Sequence, residues 1–382
     1  MKRLGREQRH SGEEMRSDII HRTRPINLNL SSLEQDNALT TLRSLSTTGS
    51  SEAMRQQMLD DTFILADIAL LGQWTTIYAA PNTGKTLLTL WLLREALFAD
   101  LIDGDFVFYV NADDNYRGIV EKTEFAEQVG FHLIAPNQNG FNCAWILEIM
   151  TELVADKQAR GVVIILDTLK KFTDLMQKRE ATEFGNISRS FVSAGGTLIC
   201  LAHTNKHKNA EGKSVYSGTS DIRDDSDCAY IIEKVDGKLF EDEVAVEFIN
   251  DKSRGDVADQ VSFSYAKKYG QSYFDLIESV KRIDEGKLSE MKVAASVTKK
   301  LEEDSGLIDA ICSAIRVGVT TKSALIKNVA DETGITHAKI RKVLAERTGA
   351  IHALGHRWNC TTGAHNKKEY CLTLPTKSAE SK

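Results

Sequence analysis

The segment Ala79-Ala80-Pro81-Asn82-Thr83-Gly84-Lys85-Thr86 sets a glycine, a lysine and a hydroxyl side by side, between a β-branched run and a leucine-rich one. It matches GxxxxGK[ST] at every fixed position but the first, where Ala79 replaces glycine. The spacing suits polyphosphate binding. A loop whose N–H groups point inward at the start of a helix cradles the phosphates, with Lys85 reaching the β- and γ-groups and Thr86 offering its hydroxyl to a divalent cation. Ala80, Pro81, Asn82, Thr83, Gly84, Lys85 and Thr86 are therefore the expected nucleotide-binding residues, with ATP and Mg²⁺ as ligands.

A Mg²⁺ site needs a second donor, and the apolar run Val163-Ile164-Ile165-Leu166 ends in Asp167. A carboxylate at the C-terminal end of a buried parallel strand lies at the same sheet edge as the loop, so Thr86 and Asp167 are the expected metal residues. Hydrolysis also requires a group that orients and deprotonates water. The run Val107 to Ala112 ends in Asp113-Asp114, and Asp113 is the candidate base with Asp114 as the alternative.

These residues need a scaffold that brings strand ends together. From about residue 60, short β-branched runs alternate with helical segments, the sequence form of a parallel sheet covered by helices. Trp74 to Tyr78, Phe106 to Val110, Val162 to Leu166 and Thr197 to Ala202 are the expected strands. Lys85 to Ala99, Gly118 to Val129, Cys143 to Ala155 and Glu183 to Ser193 are the expected helices. Cys228 to Glu233, Val244 to Asn250 and Gln260 to Tyr265 follow without intervening helices, which predicts antiparallel additions at one side. Further on, Gly306 to Arg316, Thr321 to Glu332 and Thr336 to Arg347 have the apolar spacing of three helices. Ala350 to Trp358 and Glu369 to Leu374 would then form a hairpin, giving a helix-turn-helix with a wing. Thr336 is a natural N-cap for the third helix, whose polar face would offer His337, Lys339, Arg341, Lys342 and Arg347. The resulting division is a polar arm at 1–58, an α/β domain at 59–275, a linker or connecting helix at 276–303, a winged-helix-like domain at 304–376 and a tail at 377–382.

Composition narrows the function classes. Of 382 residues, 42% are hydrophobic and 27% charged, an ordinary globular mixture that disfavours wholesale disorder. The apolar runs stop well short of the ~20 residues of a membrane span, so no membrane is expected and a cytoplasmic setting is. Six scattered cysteines without a CxxC pair suit reduced thiols. The net charge is −6, but residues 287–382 carry 16 Lys/Arg against 10 Asp/Glu. Positive charge concentrated there makes the C-terminal segment the better candidate for a phosphate backbone. In the arm, Lys2, Arg3, Arg6 and Arg9 form a small basic cluster. His352, His356, Cys360, His365 and Cys371 fit no common zinc finger; His356, Arg357, Lys367 and Lys368 read instead as phosphate contacts of a wing.

Over about residues 60–265 the chain resembles the RecA-like ATPases, and among them the plasmid RepA-type hexameric helicase group. Besides the loop and Asp167-Thr168, it shares a carboxylate pair after the second strand, with Asp113 where that group usually has Glu. It also shares Ala202-His203-Thr204-Asn205-Lys206, the stretch Ser217 to Asp227, and Asp251-Lys252-Ser253-Arg254-Gly255. The resemblance implies that His203 senses the γ-phosphate. It implies that Lys252 and Arg254 reach into a neighbouring subunit's nucleotide, an arrangement in which a finger raises rate by roughly 10³–10⁵. It further implies a homo-oligomeric ring, a hexamer by family, with channel loops carrying Lys170, Lys171, Lys178, Arg179, Lys206, Lys208 and Lys213.

The fold class expected is thus α/β, a RecA-like P-loop core with a mostly parallel sheet plus antiparallel strands, followed by a small winged-helix domain. The function expected is an ATP-driven oligomeric DNA motor, a replicative helicase of a plasmid or mobile element. Single-stranded DNA would pass through the ring, and Lys339, Arg341, Lys342 and Arg357 would hold duplex. A recombination or repair ATPase that does not unwind, and a nucleotide-switched DNA-binding regulator, fit many of the same residues.

Overall fold

The computed structural model describes residues 38–56, 61–205, 214–217, 220–235, 243–266, 270–362 and 368–373. The chain divides after Met58 into two units. In the first, two short helices, α1 (Ala38–Ser44) and α2 (Ser51–Gln56), bury no side chain. The basic residues Lys2, Arg3, Arg6 and Arg9 lie outside the described residues.

The second unit opens with a hairpin, β1 (Phe63–Leu65) and β2 (Ala69–Leu70), leading into β3 (Trp74–Ala79). Then α3 (Lys85–Phe98), β4 (Val107–Asn111), α4 (Tyr116–Val129), β5 (His132–Ile134), α5 (Trp145–Ala155), β6 (Val163–Asp167), α6 (Lys178–Ser193) and β7 (Thr197–His203) alternate. A short α7 (Asp221–Asp225), β8 (Cys228–Lys234), β9 (Glu243–Lys252), β10 (Gln260–Ala266), α8 (Tyr273–Glu278) and β11 (Lys281–Ile283) complete the α/β body. Nine strands form one sheet in the order β11-β10-β9-β8-β3-β7-β6-β4-β5. From β8 to β5 neighbours run parallel, and β9, β10 and β11 add antiparallel. This is the mostly parallel sheet with antiparallel additions expected from the sequence.

Burial on both faces explains the continuous apolar runs. Every residue of β3 and β6 is buried. One face carries Leu88, Leu93 and Phe125 from α3 and α4; the other carries Met150, Phe184 and Phe191 from α5 and α6. The spacing Ala181, Phe184, Ser188, Phe191 along α6 is the 3.6-residue period of a helix with one buried stripe.

Two expectations about this body change. The Cys228–Glu233 run is not an antiparallel addition: as β8 it runs parallel to β3, because α7 supplies the crossover that the sequence pattern hid. The body also continues past residue 275, since β11 pairs with β10 through Ser262↔Ile283 and Phe263↔Arg282. The linker is therefore shorter, and it is α9 (Glu285–Glu303), tied to the sheet by Lys292 Nζ donating to both carboxylate oxygens of Glu247 at 2.8 and 2.9 Å.

Three helices, α10 (Ser305–Arg316), α11 (Lys322–Thr333) and α12 (His337–Glu346), follow with a hairpin of β12 (Trp358–Thr362) and β13 (Lys368–Leu372). Ile311, Leu325, Val329, Ile340, Leu344 and Trp358 share their core, and Trp358 Nε1 donates to the Leu344 carbonyl at 2.9 Å. The Thr336 hydroxyl caps α12 by accepting from the Lys339 N–H, as its position before the helix predicts. The first hairpin strand begins at Trp358, not at Ala350: His352–Leu354 make a 3₁₀ turn ended by Gly355 at φ 85°. No helix among the described residues is long and apolar enough to cross a membrane.

Candidate nucleotide site

Parallel strands with right-handed crossovers bring their C-terminal ends to one edge, where the loops after β3, β4, β6 and β7 meet. Ala79 is the last, fully buried residue of β3, paired with His203 and Ile232. Alanine is at home there because the position is extended strand. Beyond it the Thr83 hydroxyl donates to the Ala80 carbonyl at 2.7 Å, and Asn82 adopts φ 59°. Gly84 adopts φ 87°, and a Cβ at that position would stand 2.8 Å from the Tyr265 ring. Only glycine fits. No side chain caps α3, so its first N–H groups remain for an anion beside a cavity of about 290 Å³.

Asp167 is the hub of this cavity. Its Oδ1 accepts from Lys85 Nζ at 2.8 Å, and its Oδ2 from the Thr86 hydroxyl at 2.5 Å and the Tyr109 hydroxyl at 2.8 Å. Burial pushes its carboxyl up, but the Lys85 ammonium and the three donated hydrogen bonds outweigh it and hold the group below the usual carboxylate range. An ionised carboxylate next to a threonine hydroxyl is a hard oxygen pair suited to Mg²⁺. The glycine-limited loop, the helix start, the lysine and this oxygen pair together fit a Mg²⁺-nucleotide.

The two carboxylates after β4 have different surroundings. Asp114 is ion-paired with Lys122 and accepts from Asn111 Nδ2 at 2.7 Å. Asp113 instead is 39% exposed, with Lys170 Nζ at 3.6 Å and His203 Nε2 at 3.8 Å. Both carboxylates line the cavity, with the Asp114 side chain 33% exposed; they differ in that Asp114 is held by close donors and Asp113 has only the longer contacts. Burial, then Lys85 and Lys170, push the His203 imidazolium toward neutrality, and Asp113 only partly opposes them.

Lys252 and Arg254 do not join this cluster. β9 runs antiparallel to β8, and Lys252 pairs with Ala229 near the start of that strand. Beyond them, a Cβ on Gly255 would meet Gln73, immediately before β3. The six residues of β3, about 20 Å of strand, separate that end from the phosphate loop. There, Lys252 Nζ donates to the Arg223 carbonyl at 3.1 Å, and Arg254 lies 3.6 Å from Asp227.

The expected nucleic-acid residues scatter. Lys170 lies beside Asp113 rather than out in a loop of its own, and Lys171 next to it is exposed. Lys178 and Arg179 open α6. Lys206, Lys208, Lys213 and Lys367 lie outside the described residues. On α12, Lys339, Arg341 and Lys342 are exposed while Ile340, Val343 and Leu344 face the core. Arg347 leaves that polar face: it is buried and bonded to Asp304 at 3.3 Å, because the helix turns it toward the start of α10. Arg357 donates to the His352 and His356 carbonyls at 3.2 and 2.9 Å, and His356 Nδ1 accepts from the Ile351 N–H, so both serve the turn before β12.

Sequence reasoning missed Tyr109, Lys122 and Tyr273. Tyr109 sits two residues before Asn111, which pairs with Asp167, so the Tyr109 and Asp167 side chains share one sheet face, a register the alternation of the strand makes readable. Lys122 and Tyr273 carry no local signal.

No family model matches the chain, and no curated protein matches it. One solved structure similar to it is a KaiC-like protein from the hyperthermophilic archaeon Pyrococcus horikoshii OT3, at 11% identity. The match covers 56% of this chain and 91% of that one, with a TM-score of 0.38.

Proposed function

We propose that this chain is a Mg²⁺-dependent ATPase of RecA-like type that works as an oligomeric motor on DNA. The observation that carries the reading is the convergence of Lys85, Thr86, Asp113 and His203 around Asp167 at adjacent strand ends. ATP would be held by Ala80 to Thr86, and Mg²⁺ by Thr86 and Asp167; bound Mg²⁺-ATP supplies the phosphoryl group that water attacks. Lys85 neutralises charge beside the loop, and Asp113 accepts the proton of the attacking water. His203, adjacent to both Asp113 and the segment after β7, is suited to relay the state of the site to that segment.

Assembly completes the site. Lys252 and Arg254 stand at the opposite end of the sheet from their own loop, so cations there serve a nucleotide only in a neighbouring copy, as in a closed ring such as a hexamer. The exposed Lys339, Arg341 and Lys342 on a capped helix beside a hairpin support duplex binding by a winged helix. Unwinding by a replicative helicase is the job this combination fits best.

The test is steady-state ATP hydrolysis by the full chain with and without single-stranded DNA, beside Lys85→Ala and Arg254→Ala. DNA-stimulated turnover lost in both variants supports the motor. ATP binding without stimulated turnover would replace it with a nucleotide-switched regulator. Unwinding of a forked duplex separates a helicase from a recombination-type ATPase.

A further inference from the structure

Beneath the Asp113-Asp114 turn lies a cation that no step above uses. Lys122, on the second turn of α4, is only 6% exposed. Its ammonium is ion-paired with Asp114 and stands 4.7 Å from the centre of the Tyr273 ring. A buried ammonium is strongly unfavourable unless a carboxylate answers it, so this pair is held together by the cost of separating it. The chain also makes room for it: a Cβ at Gly118 would come within 3.1 Å of the Asp114 carboxyl carbon. On the other side Asn111 donates to the same carboxylate, and Asn115 is fixed by accepting from the Gly118 N–H at 3.0 Å. Asp114 is thus gripped from β4, from α4 and, through the cation, from α8.

We propose that Lys122 is a positioning residue for hydrolysis, which anchors Asp114 and so fixes the turn that carries Asp113 toward the attacking water. The proposal rests on the hydrolytic reading above. The groups facing Asp113 are Lys170 and His203, and those facing Asp114 are Lys122, Asn111 and Tyr273. Loss of Lys122 leaves Asp114 with a single hydrogen-bond donor, Asn111, next to the adjacent Asp113 carboxylate. Repulsion then draws Asp113 out of register, and a displacement of about 1 Å at a reacting group costs on the order of 10²-fold in rate. Removing the charge of Asp114 as well relieves the repulsion, so the two substitutions must couple.

The experiment measures kcat, KM for ATP and the thermal midpoint of the full chain for wild type, Lys122→Met, Asp114→Asn, the double variant and Lys122→Arg, with Lys85→Ala as the inactive reference. Expected are a kcat lowered on the order of 10²-fold in Lys122→Met at unchanged KM. The double variant should recover about tenfold of that loss, and Lys122→Arg most of it. Wild-type kcat in Lys122→Met, or losses that simply multiply in the double variant, overturns the proposal while leaving the hydrolytic reading intact. If Lys122→Met does not fold, the double variant and Lys122→Arg decide: both must turn over, and a folded but inactive Lys122→Arg overturns it. A wild type no faster than Lys85→Ala sinks the hydrolytic reading and this proposal together.

Discussion

Replacing Lys85 by methionine should make the stability of the α/β body depend on pH through Asp167. The two side chains are only 9% and 4% exposed, so solvent screens their attraction little. Breaking a buried pair by removing one partner costs about 3–5 kcal/mol. Thr86 and Tyr109 go on donating to Asp167, which puts the expected loss at the lower end, about 3 kcal/mol. For a body of this size that corresponds to roughly 6 °C in thermal midpoint. The sign follows from the carboxyl. In the wild type its pKa is held low, so the pairing contributes stability above the unfolded value near pH ~4 and loses it only as pH falls through the lower folded value. Without Lys85, burial dominates and raises the carboxyl, so the variant suffers most at high pH and recovers as Asp167 takes up a proton. Unfolding followed by circular dichroism at pH 7 and pH 4.5 reads this directly. A gap of roughly 6 °C at the higher pH should narrow at the lower. No gap at pH 7, or the same gap at both, would refute the assignment of Asp167 as a buried, ionised partner of Lys85.

Arg254→Ala should retain ATP binding and lose turnover by about 10³-fold or more. Mixing it with Lys85→Ala should restore part of the activity, because one variant's loop then meets the other's finger; inert mixtures contradict a shared site. Lys170 makes an exposed ion pair with Asp113, of a kind worth at most about 1 kcal/mol, weak enough for a phosphate backbone to displace. Lys170→Ala should therefore raise DNA-free hydrolysis about two- to fivefold and shrink the stimulation by DNA, and an unchanged ratio would count against any link between them. Among the helices after residue 304, Arg347→Met leaves Asp304 only Lys339, 4.0 Å away, and should lower stability by up to about 3 kcal/mol, visible as a lower thermal midpoint; a variant as stable as wild type would show the pair to be dispensable.

Local order was legible in the sequence because it is written at short range. The phosphate loop, the apolar runs of β3 and β6 and the stripe of α6 each occupy fewer than twenty neighbouring residues, and their periods reflect strand and helix geometry alone. The Thr336 cap belongs to the same class. From the loop and two aspartates at strand ends, the composition of one sheet edge followed. What needed the tertiary structure was every decision made by residues far apart in the chain. β8 runs parallel because α7 carries it across the sheet, and β11 joins the body because β10 offers an open edge. Arg347 lies on a helix face that looks polar in sequence, yet Asp304 draws it inward. Lys170 meets Asp113 across 57 positions, which brings a cation expected in a separate loop beside that carboxylate. Asp113 and Asp114 are chemically identical neighbours, told apart by distant partners: Lys122 at one, Lys170 and His203 at the other. Sequence periodicity reports which residues are hidden from water, since burial repeats with the backbone. Which charge answers which depends on the path the chain takes between them, and that path is fixed only when the strands have paired.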